Sequence, residues 1–207
     1  MRLVCLSDTH GKHAQVTVPE GDILIHAGDF TRKGKLEEVQ DFNQWLMGLP
    51  HRHKIVVAGN HDHCFERQPE QARALLTAAH YLEDEALVLE GFHFWGSPVT
   101  PTFFNLAFNQ KRGDEIGQTW AQIPTNTEVL ITHGPPMGIL DRTFLGKHVG
   151  CEMLQARLEV LGQLRLHVFG HIHEAQGKRQ KGSCTFANVA VLGALYRVVH
   201  QAQVFDL

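Results

Sequence analysis

The stretch Ile23-Leu24-Ile25-His26-Ala27-Gly28-Asp29 decides how this chain is read. A short apolar run bounded by turn residues reads as a buried strand. It stops at a glycine, which lets the backbone turn sharply, and an aspartate follows at once. The same order recurs on both sides. Leu3–Leu6 runs into Ser7-Asp8, Ile55–Ala58 into Gly59-Asn60-His61, and Val129–Ile131 into Thr132-His133-Gly134. Leu166–Phe169, interrupted by His167, runs into Gly170-His171.

Helical spacing fills the gaps. Val39, Phe42, Trp45, Leu46 and Leu49 keep three- and four-residue steps from Leu36, and Pro69 suits the first turn of a helix carrying Ala72, Leu75, Leu76 and Ala79. Asp114 is expected to cap a helix holding Ile116 and Trp120, and Cys151–Leu161 is amphipathic. Thr185–Leu207 shows short alternating segments that suggest antiparallel strands. Alternating strands and helices predict an α/β layered fold. The 207 residues, with no linker or repeat, suit a single domain over 1–207.

Composition narrows the function. Hydrophobic and charged contents of 43% and 20% are those of a globular protein. A net charge of −3 without a basic stripe argues against a long nucleic acid as partner. No run reaches the roughly 18 apolar residues of a membrane span. The apolar start at Met1–Leu6 is shorter than a signal-peptide core. Cys5, Cys64, Cys151 and Cys184 lack paired spacing, so reduced thiols and a cytoplasmic location are expected. The oligomeric state is left open, and a homodimer is compatible with the sequence.

The 15 histidines ask for a chemical reason. In an open α/β sheet, ligands bind off the carboxyl ends of the strands. There the sequence puts Asp8 and His10, Asp29, Asn60 and His61, His133, and His171 with His173. Such nitrogen and oxygen donors suit Mn, Fe, Zn or Co, and one carboxylate can bridge two ions roughly 3.5–4 Å apart. Any one of these histidines alone reads more naturally as structural; the ordered set favours metal. His26 and His167 lie inside strands and read as core or ligand-supporting groups. His13, His51, His53, His80, His93 and His200 carry no motif and read as surface or structural.

The order Asp-x-His, Gly-Asp, Gly-Asn-His-Asp, His-Gly and Gly-His-x-His resembles the calcineurin-like metallophosphoesterase superfamily. The stretches Ile25–Thr31, Thr132–Pro136 and Leu166–Glu174 resemble the metallophosphoesterase-domain-containing phosphodiesterases of animal brain and their bacterial relatives. The likeness runs from Met1 to about Gly177, and Val204–Leu207 shares it. It implies two packed mixed β-sheets flanked by helices. It also implies one divalent ion on Asp8, His10, Asp29 and His173, and a second on Asp29, Asn60, His133 and His171, with Asp29 bridging. His61 takes the position of the catalytic histidine and Asp62 that of the acid that follows it, which reads either as orienting His61 or as capping the turn.

The activity implied is hydrolysis of a small phosphodiester, such as a cyclic nucleotide, by water activated on the ions. A phosphomonoesterase acting on nucleotides or phosphoprotein shares the ligand set, and a non-catalytic interaction module shares the fold. Two features bear on substrate. Arg32, Lys33 and Lys35 follow the bridging aspartate and read either as phosphate contacts or as a solvated face. Phe103, Phe104 and Phe108 lie in the long segment 98–113, which reads either as a lid over the site or as a cover for the core.

Overall fold

A computed structural model describes residues 1–193 and 195–207. Its strands are β1 (Arg2–Leu6), β2 (Ile23–Ala27), β3 (His53–Val57), β4 (His80–Tyr81), β5 (Glu85–Leu89), β6 (Phe92–Ser97), β7 (Thr100–Pro101), β8 (Asn109–Gln110), β9 (Val129–Thr132), β10 (Leu166–Phe169), β11 (Gly177–Lys181), β12 (Cys184–Asn188) and β13 (Gln203–Asp206). The helices are α1 (Leu36–Met47), α2 (His63–Arg67), α3 (Pro69–Leu75), α4 (Asp114–Ala121) and α5 (Glu152–Leu158). One sheet runs β13-β1-β2-β3-β4, the other β11-β12-β10-β9-β6-β5, and β7 and β8 form a small separate ribbon. Both large sheets are mixed, because the inner strands pair in parallel while β13, β11 and β5 pair antiparallel.

Side-chain alternation builds the layers. Leu3 and Cys5 of β1 face a core between the sheets that they share with Ile23, Ile25, Phe94, Ile131 and Val168. Val4 and Leu6 face the other way, onto Val39, Phe42 and Leu46 of α1. The outer face of the second sheet does the same, with Trp95, Leu130 and Phe169 covered by Ile116 and Trp120 of α4 and Leu154 of α5. Strands β2, β9 and β10 are thus buried on both faces, which is why they read as apolar runs, broken only by His26, Thr132 and His167. The result is the expected sandwich of two mixed sheets flanked by helices.

Three local expectations need correction. The N-cap of α4 is Gly113, at φ 88°, and Asp114 is the first helical residue, where its charge still favours the helix start. Helix α5 spans Glu152–Leu158 rather than reaching from Cys151 to Leu161; Cys151 caps it and turns follow Leu158. The C-terminal stretch is not purely antiparallel. Strand β12 pairs parallel with β10 and antiparallel with β11, while β13 crosses to the first sheet beside β1.

Candidate metal centre

Five parallel strands aim their carboxyl ends at one place. Asp8 and His10 follow β1, Asp29 follows β2, Asn60 and His61 follow β3, His133 follows β9, and His171 and His173 follow β10. Three of these strands belong to one sheet and two to the other, so the site straddles the sandwich edge.

The geometry brings the expected ligands together. Asp8 Oδ1 lies 3.3 Å from His173 Nε2, and Asp8, His10 and His173 form one group with converging ligand atoms. Asp29 Oδ2 lies 3.6 Å from His10 Nε2 and 3.4 Å from His133 Nε2. Asn60 Oδ1 stands 2.8 Å from His133 Nε2 and 3.0 Å from His171 Nδ1. His133 Nδ1 lies 2.9 Å from the Ala27 carbonyl, a contact that needs the proton on Nδ1 and so aims Nε2 at Asp29. A ring nitrogen of His61 also converges with one of His10 and with a carboxylate oxygen of Asp29.

The backbone is strained where these residues sit. Asp8, His10, Asp29 and His171 all have positive φ, between 42° and 68°. Non-glycine residues pay for that conformation, and it persists at sites whose surroundings over-determine it. The neighbouring glycines give the clearance. A methyl at Gly59 would overlap the Asp29 carboxylate, and one at Gly170 would overlap Asp8 and Ser7.

Charge is concentrated here. Burial works against the ionised form of Asp8, but the hydrogen bond and charge of His173 outweigh it and hold the carboxyl well below its ordinary range. Burial opposes Asp29 as well, and His133 overcomes it. In return, against its own burial, Asp29 raises His133 to about 9. Burial, with the His133 charge next, lowers His171 to about 4. Neither buried ring nitrogen of His10 has a hydrogen-bond partner among the described residues. Two buried carboxylates near the unpartnered ring nitrogens of His10, with the other imidazoles and a carboxamide oxygen close by, fit divalent cations by donor chemistry and by position.

The remaining expected residues fall in different places. The His61 N–H donates to Asp29 Oδ1 at 2.8 Å, and its ring meets that of His10 edge-on at 4.7 Å. The Asp62 carboxylate makes no hydrogen bond to the His61 ring. Buried, it instead accepts from the N–H groups of Asp29, Thr31 and Gly59 and from the Thr31 hydroxyl, at 2.7–2.9 Å. Burial, and then the charge of Asp29, push its pKa up to about 7.

Arg32 lines a cavity of about 390 Å³ with His10, Lys12, His61, Leu195 and Tyr196. Lys33 is exposed and is not part of that lining; its N–H helps hold Glu38 at the start of α1. The phenylalanines do not act as one lid. Phe108 is buried against the core, Phe104 is exposed, and half-exposed Phe103 edges a second cavity beside His171.

Sequence reasoning missed Lys12 and Tyr196. The Tyr196 ring sits 5.0 Å from that of His10 and 5.3 Å from that of His173, and the Lys12 ammonium donates to the Tyr196 carbonyl. Lys12 lies two residues beyond the Asp-x-His motif, which was a usable signal; Tyr196 stands in a stretch without a motif. Among the described residues, no helix is long and apolar enough to cross a membrane.

Known proteins match this picture. Metallophosphoesterase domain-containing protein 1 of Homo sapiens is 40% identical over 232 aligned positions, covering 100% of this chain and 71% of that protein, and its Mus musculus counterpart gives the same figures. The solved structure of TT1561 from Thermus thermophilus shares the fold, with a TM-score of 0.58 at 10% identity over 90% of this chain and 88% of that one. The family model of the calcineurin-like phosphoesterases matches residues 1–175, and the chain belongs to that family of metal-dependent phosphoric ester hydrolases.

Proposed function

We propose that this chain is a phosphodiesterase working with two divalent ions. Asp8, His10, Asp29 and His173 would hold one, and Asp29, Asn60, His133 and His171 the other. One observation carries this reading: a single oxygen, Asp29 Oδ2, lies between His10 Nε2 and His133 Nε2 at 3.6 and 3.4 Å. An acid flanked on both sides by imidazole suits a bridging ligand, and manganese, iron, zinc and cobalt all accept this donor set. When bound, such ions polarise phosphate oxygens and make water a nucleophile near neutral pH.

The chain's own residues supply position and a proton. His61 borders the cavity beside Arg32 and Lys12, from which its ring can hydrogen-bond the departing ester oxygen and protonate it. Arg32 and Lys12 favour an anionic substrate there, while Leu195 and Tyr196 offer apolar surface for an organic substituent. Neither hydroxyl beside the ligands is free to act as a nucleophile, because that of Ser7 is committed to Asp8 and that of Thr9 pairs with His26. A cytoplasmic location fits the four free, buried cysteines.

Turnover of bis(p-nitrophenyl) phosphate and p-nitrophenyl phosphate by protein reconstituted with Mn, Zn or Co tests the proposal. The expected result is metal-dependent hydrolysis that is faster on the diester. Preference for the monoester would replace the diesterase with a phosphomonoesterase, and no turnover with metal bound would leave an interaction module.

A further inference from the structure

Two separate cavities border the ligand cluster, and among the described residues none lines both. The first, beside His10 and His61, carries the cations Lys12 and Arg32. The second, about 230 Å³, opens beside His171 and is walled by Pro101, Phe103, Pro135, Val149 and Ile172. It also includes Arg112, but that guanidinium is already committed. It donates to the Val149 and Gly150 carbonyls and pairs with Glu152. Thr102 and Thr143 add hydroxyls to the lining, but most of its exposed surface is carbon, so the second cavity is predominantly apolar.

We propose that the second cavity takes the ester substituent that stays on phosphorus, and that this substituent is an apolar ring. The inference rests on the diesterase reading and extends it to an open-chain diester whose two arms lie in different cavities. A cavity of about 150 Å³ is enough to hold benzene, so the space suits one aromatic ring. The leaving arm belongs in the first cavity, because His61, the proton donor, lies there. A water oxygen bonds to phosphorus, and the bond from phosphorus to the leaving arm breaks with its electron pair on the departing oxygen. That oxygen takes a proton from His61. Of the two protons the water gives up, one restores His61 and the other passes to solvent. The products are an alcohol from the first cavity and a phosphomonoester still seated by its ring in the second.

Phe103, with a half-exposed ring, and Val149 both line this cavity. The test compares methyl p-nitrophenyl phosphate with phenyl p-nitrophenyl phosphate, which share a leaving group and differ only in the retained arm. With manganese-loaded wild-type protein, KM for the phenyl ester should be lower by roughly tenfold, as expected for burying one ring. Phe103→Ala, which opens the rim, and Val149→Trp, which fills the space, should each bring the two KM values within about twofold. If Val149→Trp does not fold, Phe103→Ala decides alone. Equal KM values in the wild type, or a preference that survives the folded variants, would overturn the ring-binding cavity and leave the diesterase standing. No turnover of either diester by metal-loaded protein would overturn both.

Discussion

The backbone N–H of Asp29 donates to Oδ2 of Asp62 at 2.9 Å. The residue proposed to bridge the metals is thus held by the acid that follows the candidate catalytic histidine, 33 positions away in sequence. The same oxygen accepts from Gly59, and the other accepts from Thr31, so one carboxylate ties the loops after β2 and β3 together. Those loops present Asp29, Asn60 and His61, with Asp29 at a positive φ that needs outside support.

Asp62→Ala removes that tie and leaves three buried N–H groups without an acceptor. At about 1–3 kcal/mol for each buried donor left unpaired, the loss is large. For a domain of this size about 1 kcal/mol shifts the melting temperature by 2–4 °C. A drop of roughly 10 °C, accompanied by weaker metal retention, is expected in thermal denaturation and metal analysis. An unchanged melting temperature would show that Asp62 does not brace the site.

His61→Ala should act on chemistry instead. Its ring lies at the edge of the ligand cluster and borders the open cavity. Metal content should stay near the wild-type value while kcat falls by roughly 10²–10⁴. The loss should shrink for esters with good leaving groups, which need little protonation. Steady-state rates across a leaving-group series check this, and an equal loss throughout would point to a positioning role.

Much of this was legible in the sequence, for a physical reason. Strands buried on both faces are predominantly apolar, so β1, β2, β3, β9 and β10 announce themselves, and their ends locate the ligands. Strand β11 was not legible. Gly177-Lys178-Arg179-Gln180-Lys181 is largely exposed and takes its extended form from pairing with β12. The direction of β12 was hidden for a similar reason, since a run such as Cys184–Asn188 fits either orientation until its partner is known. The bracing contacts of Asp62 were not legible because its partners, Asp29 and Thr31, lie far off in sequence. Segment 98–113 looked like one feature, yet its ends pair as β7 and β8 and Ala107 donates to the Asn60 carbonyl, which turns Phe108 inward and Phe104 outward.

His167 offers a test by pH. Its Nε2 lies 2.8 Å from the Thr132 hydroxyl, which itself donates to the Gly134 carbonyl, so Nε2 carries the proton of a neutral ring. Burial lowers its pKa from 6.5 to about 3. A depressed histidine stabilises the fold fully above pH 6.5, and that contribution is lost as pH falls towards 3, because the unfolded chain takes the proton first. Each pH unit in that window costs up to about 1.4 kcal/mol. Urea denaturation with chelator present should show His167→Leu gaining on the wild type by about 2 kcal/mol between pH 7.5 and 5.0. Parallel pH profiles for the two proteins would show that the buried ring does not govern the slope.

Phe108 and Phe104 should separate core from rim. Phe108→Ala removes a buried ring and is expected to cost about 3 kcal/mol or more, while Phe104→Ala, on an exposed ring, should stay within about 0.5 kcal/mol. Chemical denaturation of both variants checks the difference. Equal effects would mean that the segment packs as a unit.

The bridge itself is measured most directly by counting tightly bound metal in wild type, His10→Ala and Asp29→Asn after reconstitution and removal of free ion. Asp29 Oδ2 faces ligands of both proposed ions, whereas His10 faces one of them. The wild type should retain about two ions per chain and His10→Ala about one, and Asp29→Asn should lose both together along with activity. Two tightly held ions in Asp29→Asn would contradict the bridging carboxylate.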